Sequence, residues 1–237
     1  MRILAVDTSS LAASAALTED GVLLGESYSN VRLTHSRTIM PMVQQLFVNT
    51  GSSLEQVDLF AVSTGPGSFT GLRIGLSAVK GMAFGLEKPC VAVSTLECLA
   101  ENLAGVEGIL CPVMDARCKQ VYTALFSCEA GGVPTRLEED MAIPLEELEN
   151  LLARQNRPVF LVGDGAKLCY NEFNERLPGL YLAPMQLLHQ RAASVAAVGA
   201  QLADRGEVLS AAQLIPTYLR LPQAERELLA KKLQQKG

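Results

Sequence analysis

The feature that most constrains this chain is an apolar run, Val57, Leu59, Phe60, Ala61 and Val62, that passes straight into STGPGSFTGLRIG, Ser63 to Gly75. A strand without polar alternation needs cover on both faces, and a glycine-rich turn behind it delivers the chain directly into a helix. Together with the strand-like and helix-like segments on either side, this predicts an α/β fold. The glycine stretch itself admits two readings. It is a cradle for a phosphate, or a tight turn into a helix built for close packing.

Spacing weakens the first reading. A Walker loop needs Gly-x-x-x-x-Gly-Lys-Ser/Thr, so that backbone donors and a lysine reach the phosphates. Here Gly65, Gly67 and Gly71 are spaced differently, and Leu72 stands where the lysine would be. The dinucleotide fingerprint fails as well, because Thr70 occupies the third-glycine place. An anion could still rest on exposed amides at the helix start. Within the helix, Gly71, Gly75, Ala78 and Gly85, with Met82 between, fall near one face. Each interior glycine costs about 1 kcal/mol of helix propensity relative to alanine. The spacing therefore predicts close approach of another backbone, from a neighbouring lobe or from another chain.

Residues 2 to 29 read as three strands, RILAVDT, SAAL and GVLLGESY. A helix is predicted from Thr34 to about Asn49, with Pro41 delaying its start or kinking it. After the glycine-led helix, PCVAVS is another buried strand, and Ser94 to Glu97 has the form of a capping box opening a helix through about Leu103. A second unit begins near Gly105: strands GILCPVMDA and QVYTALFSC, the turn AGGVP, helix PLEELENLLA, strand PVFLVGDG, helix AKLCYNEFNERL and strand GLYLA. Its order is similar to that of the first unit without a visible sequence repeat. Residues 190 to 205 read as a helix packed closely on a sheet, and QAERELLAKKLQQKG as a charged amphipathic tail.

Composition narrows the function classes. A chain of 237 residues with 49% hydrophobic and 19% charged residues can bury a substantial core. Trp is absent and the aromatic share is 5%, which argues against nucleic-acid reading by base stacking. A formal net charge of -5 gives no global attraction to a phosphate backbone or an anionic bilayer. The start MRILAVDTSS is too short for a signal sequence or a membrane span. Six scattered cysteines without a CxxC pair predict reduced, largely buried thiols of a cytoplasmic protein rather than a zinc cluster.

Asp7, followed by Thr8, Ser9 and Ser10, has two readings. It places a metal and a phosphate-holding turn, as in two-lobed phosphotransferases, or it caps its own turn. Gly163 to Gly165 is a strand-to-helix turn that in such an enzyme would touch a nucleotide. His35 and His189 read as capping or surface residues. No Ser-His-Asp or Cys-His arrangement can be read from spacing, so no catalytic residue is assigned.

ILAVDTSS at 3 to 10, THSRTIMPMV at 34 to 43, STGPGSFTGLRIGLSAVKGMAFGL at 63 to 86, VSTLECLA at 93 to 100, PVMDAR at 112 to 117 and PTYLR at 216 to 220 closely resemble the bacterial TsaB family, also called YeaZ. The resemblance implies a two-lobed fold of the actin, sugar kinase and heat-shock ATPase type, each lobe on a ribonuclease-H-like sheet. It implies a first lobe at 1–104 with 190–218 packing back on it, a smaller second lobe at 105–189, and the tail at 219–237.

The function implied is that of a non-catalytic, cytoplasmic subunit in threonylcarbamoyl modification of tRNA adenosine 37, without a cofactor of its own. It would stabilise and activate the metal-dependent transferase TsaD, support binding of the ATPase TsaE, meet tRNA mainly through the complex, and form a homodimer when alone. The TsaD metal histidines lie in an NHLEGH segment. The matching segment here is STLECL, which puts Thr95 and Leu99 at those positions, so the metal site is expected to be lost. The resemblance assigns Phe69, Gly71, Leu72, Gly75, Ala78, Val79 and Met82 to the partner interface. Asp7, Thr8, Ser9, Gly163 and Gly165 remain as possible nucleotide or anion contacts. The competing reading is a free-standing ATPase or small-molecule kinase that uses them.

Overall fold

The structure, a computed structural model, describes residues 1–31 and 33–220. The tail expected from residue 219 onward falls, after Arg220, outside the described residues. Strands β1 (Arg2–Asp7), β2 (Ala13–Glu19) and β3 (Val22–Ser29) form an antiparallel meander. Helix α1 (His35–Thr50) follows, then β4 (Leu59–Gly65), α2 (Phe69–Gly85), β5 (Cys90–Ser94) and α3 (Thr95–Glu101). The second lobe runs β6 (Gly108–Asp115), β7 (Gln120–Cys128), β8 (Thr135–Pro144), α4 (Leu145–Leu152), β9 (Val159–Val162), α5 (Ala166–Phe173) and β10 (Leu180–Leu182). Helix α6 (Ala192–Asp204) then returns to the first sheet, packing on β1, β2, β4 and β5.

The first sheet has the order β3-β2-β1-β4-β5 and the second β10-β9-β6-β7-β8. In both, the opening strand pairs antiparallel with the next strand and parallel with the strand after the first long helix. The lobes therefore share one topology. In the first, the two faces of each central strand feed two cores: Leu4, Val6, Phe60 and Val62 pack with α1 and α2, and Ile3, Ala5, Leu59 and Ala61 pack with α6. This double burial explains the absence of polar alternation in β4. Burying each such Leu, Val or Phe contributes about 1.5 to 3 kcal/mol. Gly199 lets α6 lie close on β4, because a Cβ there would sit 2.8 Å from the Ala61 Cβ.

Three differences from the sequence reading have physical causes. Helix α1 starts at His35 and runs through Pro41; Pro41 and Arg37, whose carbonyl loses its helical partner, are both exposed residues. Strand β8 has no counterpart in the reading, because its TRLEEDMAIP is a charged edge strand paired only with β7. At the start of α3 only half of the capping box forms: Ser94 Oγ accepts from Glu97 N at 3.3 Å, while the Glu97 carboxylate turns to Arg136.

Candidate functional site

The turn after β1 is where a two-lobed phosphotransferase would hold metal and phosphate. Here it is filled by the chain itself. Asp7 is 1% exposed. Its Oδ1 accepts from the backbone N and the Oγ of Ser9, both at 2.9 Å, and its Oδ2 accepts from Ser63 Oγ. Burial pushes this carboxyl above the ordinary range, against the bonds from Ser63 and Ser9. Thr8 Oγ1 donates to Gly71 O at 2.7 Å, and Ser68 N donates to Ser9 O at 2.7 Å. A Cβ on Gly67 would lie 2.4 Å from that same Ser9 oxygen. The glycine loop thus seats directly on the hydroxyl-rich turn.

The Gly163 to Gly165 turn is likewise a packing device. A Cβ on Gly163, at φ 111°, would lie 2.2 Å from Val113 O, and one on Gly165 would lie 3.0 Å from the Met114 carbonyl carbon. Asp164 between them faces a cleft between the lobes of about 660 Å³, with Ser9, Ser68, Phe69, Asp115 and Arg220 also on its walls. Burial pushes the Asp164 carboxyl up to about 6.

The faces of α2 require a correction. Gly71 and Gly75 are turned inward onto Thr8: a Cβ would meet Thr8 O at 2.1 Å and Thr8 Oγ1 at 2.4 Å, respectively. Leu72, Val79 and Met82 are buried in the first lobe at 1, 0 and 8% exposure. These five positions cannot face a partner while the lobe is folded. Their spacing signalled a close backbone approach correctly, but the approaching segment is this chain's own β1–β2 turn. Of the assigned face, Phe69 and Ala78 remain half-buried at the outside, beside Arg73, Ile74 and Ser77. With Ser36, Ile39 and Met40 of α1 they line an apolar groove of about 600 Å³. Phe84, 74% exposed, continues the outer strip of α2.

Thr95 and Leu99 are both fully buried on α3. Thr95 Oγ1 has no hydrogen-bond partner, and Leu99 belongs to the second lobe's core. A thioether, imidazole or carboxylate ligand is absent from both positions. Among the described residues no group of three or more His, Cys, Asp or Glu is placed to hold a metal. His35 Nε2 meets Ser10 O at 2.7 Å, and His189 is partly buried, which lowers its pKa. Five of the six cysteines are buried and Cys118 is exposed; all are free thiols. No helix among the described residues is long and apolar enough to cross a membrane.

Sequence reasoning missed Tyr218 and Arg220. Tyr218 stacks on Phe69 with ring centroids 4.9 Å apart, and Arg220 Nη1 donates to Ala116 O at 2.6 Å. The PTYLR motif was the available signal, but its partners, Thr64, Phe69, Arg73 and Ala116, lie far away in the chain.

Comparison with known proteins fits this geometry. The family "TsaD: tRNA N6-adenosine threonylcarbamoyltransferase" matches residues 29–227. The tRNA threonylcarbamoyladenosine biosynthesis protein TsaB of Bacillus subtilis is 31% identical over 95% of this chain and 96% of its own length. A solved structure of YeaZ from Pseudomonas aeruginosa superposes with a TM-score of 0.74 at 30% identity, covering 92% of this chain and 99% of that one. The activator of 2-hydroxyisocaproyl-CoA dehydratase from Clostridium difficile, solved with bound ADPNP, shares the two-lobed fold at TM-score 0.51 and 12% identity, over 87% of this chain and 97% of its own. Similarity to TsaB over nearly the full length of both chains separates the chain from TsaD itself. The chain belongs to the TsaB/YeaZ family of tRNA threonylcarbamoyladenosine biosynthesis proteins, homologous to TsaD and distinct from it.

Proposed function

We propose that the chain acts in tRNA threonylcarbamoyladenosine formation as a non-catalytic partner of TsaD, docking through the outer groove between α1 and α2. The observation that carries this reading is the filled turn after β1. Asp7 spends its carboxylate on Ser9 and Ser63, and the Gly67–Ser68 backbone occupies the space beside Ser9. A carboxylate this deeply buried and already accepting three hydrogen bonds is poorly placed for a magnesium ion, which counts against the free-standing kinase reading.

What remains exposed supports docking. The groove presents Met40, Phe69, Ile74 and Ala78 together with the polar Ser36, Thr70, Arg73 and Ser77, an apolar patch with polar residues about it of the kind seen at protein interfaces. The chain would act by stabilising one arrangement of TsaD, through differential binding rather than bond making. In this reading TsaE joins through the TsaB–TsaD pair, tRNA is held mainly by the complex, and two copies of this chain pair on the same groove when TsaD is absent. Buried free thiols and the net charge of -5 suit a cytoplasmic assembly of this kind.

Calorimetric titration tests the proposal. TsaD should bind at micromolar concentration or tighter, while ATP with magnesium should give no heat with this chain alone. ATP binding by the isolated chain together with silent TsaD titrations would favour the kinase reading instead.

A further inference from the structure

The last described segment is held at Leu214, Thr217, Tyr218 and Arg220. Lys80 Nζ donates to Leu214 O at 3.0 Å, and Thr217 N donates to Thr64 O at 2.8 Å. Gly65, at φ 140°, makes room for this segment, because a Cβ there would lie 2.2 Å from Thr217 O. Tyr218 then stacks on Phe69, and its hydroxyl accepts from Arg73 Nε at 3.0 Å, while the Arg73 guanidinium lies 3.9 Å from the Phe69 ring centroid.

Past Tyr218 the contacts change lobes. Arg220 Nη1 donates to Ala116 O at 2.6 Å, at the turn between β6 and β7. That turn is a fixed target: Ala116 N donates to Gln120 O at 3.0 Å, and Arg117 N donates to Asp115 Oδ1 at 2.7 Å. Tyr218 and Arg220 both line the cleft between the lobes. The covalent crossings between lobes are tied elsewhere, at Asn102. Its Nδ2 donates to Leu187 O and His189 O, both at 2.8 Å, and its Oδ1 accepts from Ser194 Oγ at 2.6 Å. None of these residues lines the cleft. The molecule thus has a joint on the α3 side, where Asn102, the Glu97–Arg136 ion pair, the Ser94–Asp140 hydrogen bond and the burial of Leu96 and Leu99 in the second lobe's core hold the lobes together, and a further tie, across the cleft, at Arg220.

We propose that Pro216–Arg220 is a strap that fixes the opening between the lobes and couples it to the α1/α2 docking groove. The coupling arises because Phe69 and Arg73 belong to both: they line the groove, and they hold Tyr218. A partner gripping the groove in its strapped form favours the closed cleft, and opening the cleft weakens the partner's grip by the same factor. The coupling rests on the docking function proposed above; the strap itself does not.

The test uses the full chain with spin labels at exposed Asn49→Cys on α1 and Glu147→Cys on α4, in a Cys118→Ser background. The unaltered strap should give one narrow distance distribution. Arg220→Ala should broaden and lengthen it with little change in thermal midpoint, and Arg220→Lys, still able to donate to the Ala116 carbonyl, should restore most of it. If the strapped fraction falls to a fifth, the apparent Kd for TsaD rises about fivefold in Arg220→Ala and much less in Arg220→Lys. Unchanged distances in Arg220→Ala would overturn the strap. Broadened distances with unchanged affinity would overturn the coupling. A wild-type chain that does not bind TsaD would overturn the docking function and the coupling with it, while the distances would still decide the strap.

Discussion

The two lobes share a strand order but not a helix length. Helices α1 and α2 of the first lobe have 16 and 17 residues, whereas the corresponding α4 and α5 of the second have 8 each. Both lobes use a positive-φ glycine at the strand end before the second helix, Gly65 in one and Gly163 in the other. Only in the first lobe is that helix long enough to carry two separate faces. Its inner face, Gly71 and Gly75, clamps the β1–β2 turn, and its outer face forms half of the groove. The second lobe's short helices cover their own sheet. The difference teaches that helix length beyond what the core needs leaves a second face exposed, here the outer wall of the groove proposed for docking.

Substitutions can break this contrast, and the largest effect should come from the inner face. Gly75→Glu places a charged side chain where even a Cβ would be 2.4 Å from Thr8 Oγ1, so it should destabilise the first lobe by several kcal/mol. Urea denaturation should show loss of most of the folded state; a midpoint within error of wild type would remove the clamp from the account. Ile74→Glu, on the outer face of the same helix but half-buried against the first lobe's core, should cost about 1 kcal/mol of stability and weaken TsaD binding at least about tenfold, or roughly 1.4 kcal/mol or more. The matching change in the second lobe, Leu168→Glu on the exposed side of α5, should alter neither stability nor affinity. A loss of affinity in Leu168→Glu, measured by the same titration, would put docking on the wrong lobe.

The smallest effect belongs to the crossing between the lobes. Glu101 at the end of α3 has its carboxyl pushed up to about 7, first by burial and then by the charge of Glu97. Between the ordinary carboxyl range and pH 7 the folded chain therefore holds a proton that the unfolded chain has released. Stability contributed at this site must fall as pH rises through that window. Allowing for solvent screening, the loss from pH 5 to 7.5 should be about 1 kcal/mol, and Glu101→Gln should flatten it. Paired denaturation curves at the two pH values, with equal slopes in the variant and wild type, would show that Glu101 does not titrate in this way.

What the sequence disclosed followed from how local each signal was. Strand β4 and the turn into α2 were legible because an unbroken apolar run and a glycine-rich turn each state their own requirement. The four-residue spacing of Gly71 and Gly75 announced a close neighbour but could not name Thr8, which lies 63 residues from the carbonyl it binds at Gly71. Strand β8 was invisible, since an edge strand with one partner tolerates the charges of RLEED on its open side. The strap was invisible for another reason: PTYLR has no periodicity, and its meaning lies in Phe69, Arg73 and Ala116.

The claim on which the rest depends is that the outer strip of α1 and α2 meets the partner. Hydrogen exchange of the full chain, alone and with saturating TsaD, tests it most directly. New protection should be concentrated at residues 36–40 and 69–78, with α4, α5 and β8 unchanged. Protection confined to the second lobe, or none on α1 and α2 in a chain that does bind, would contradict it.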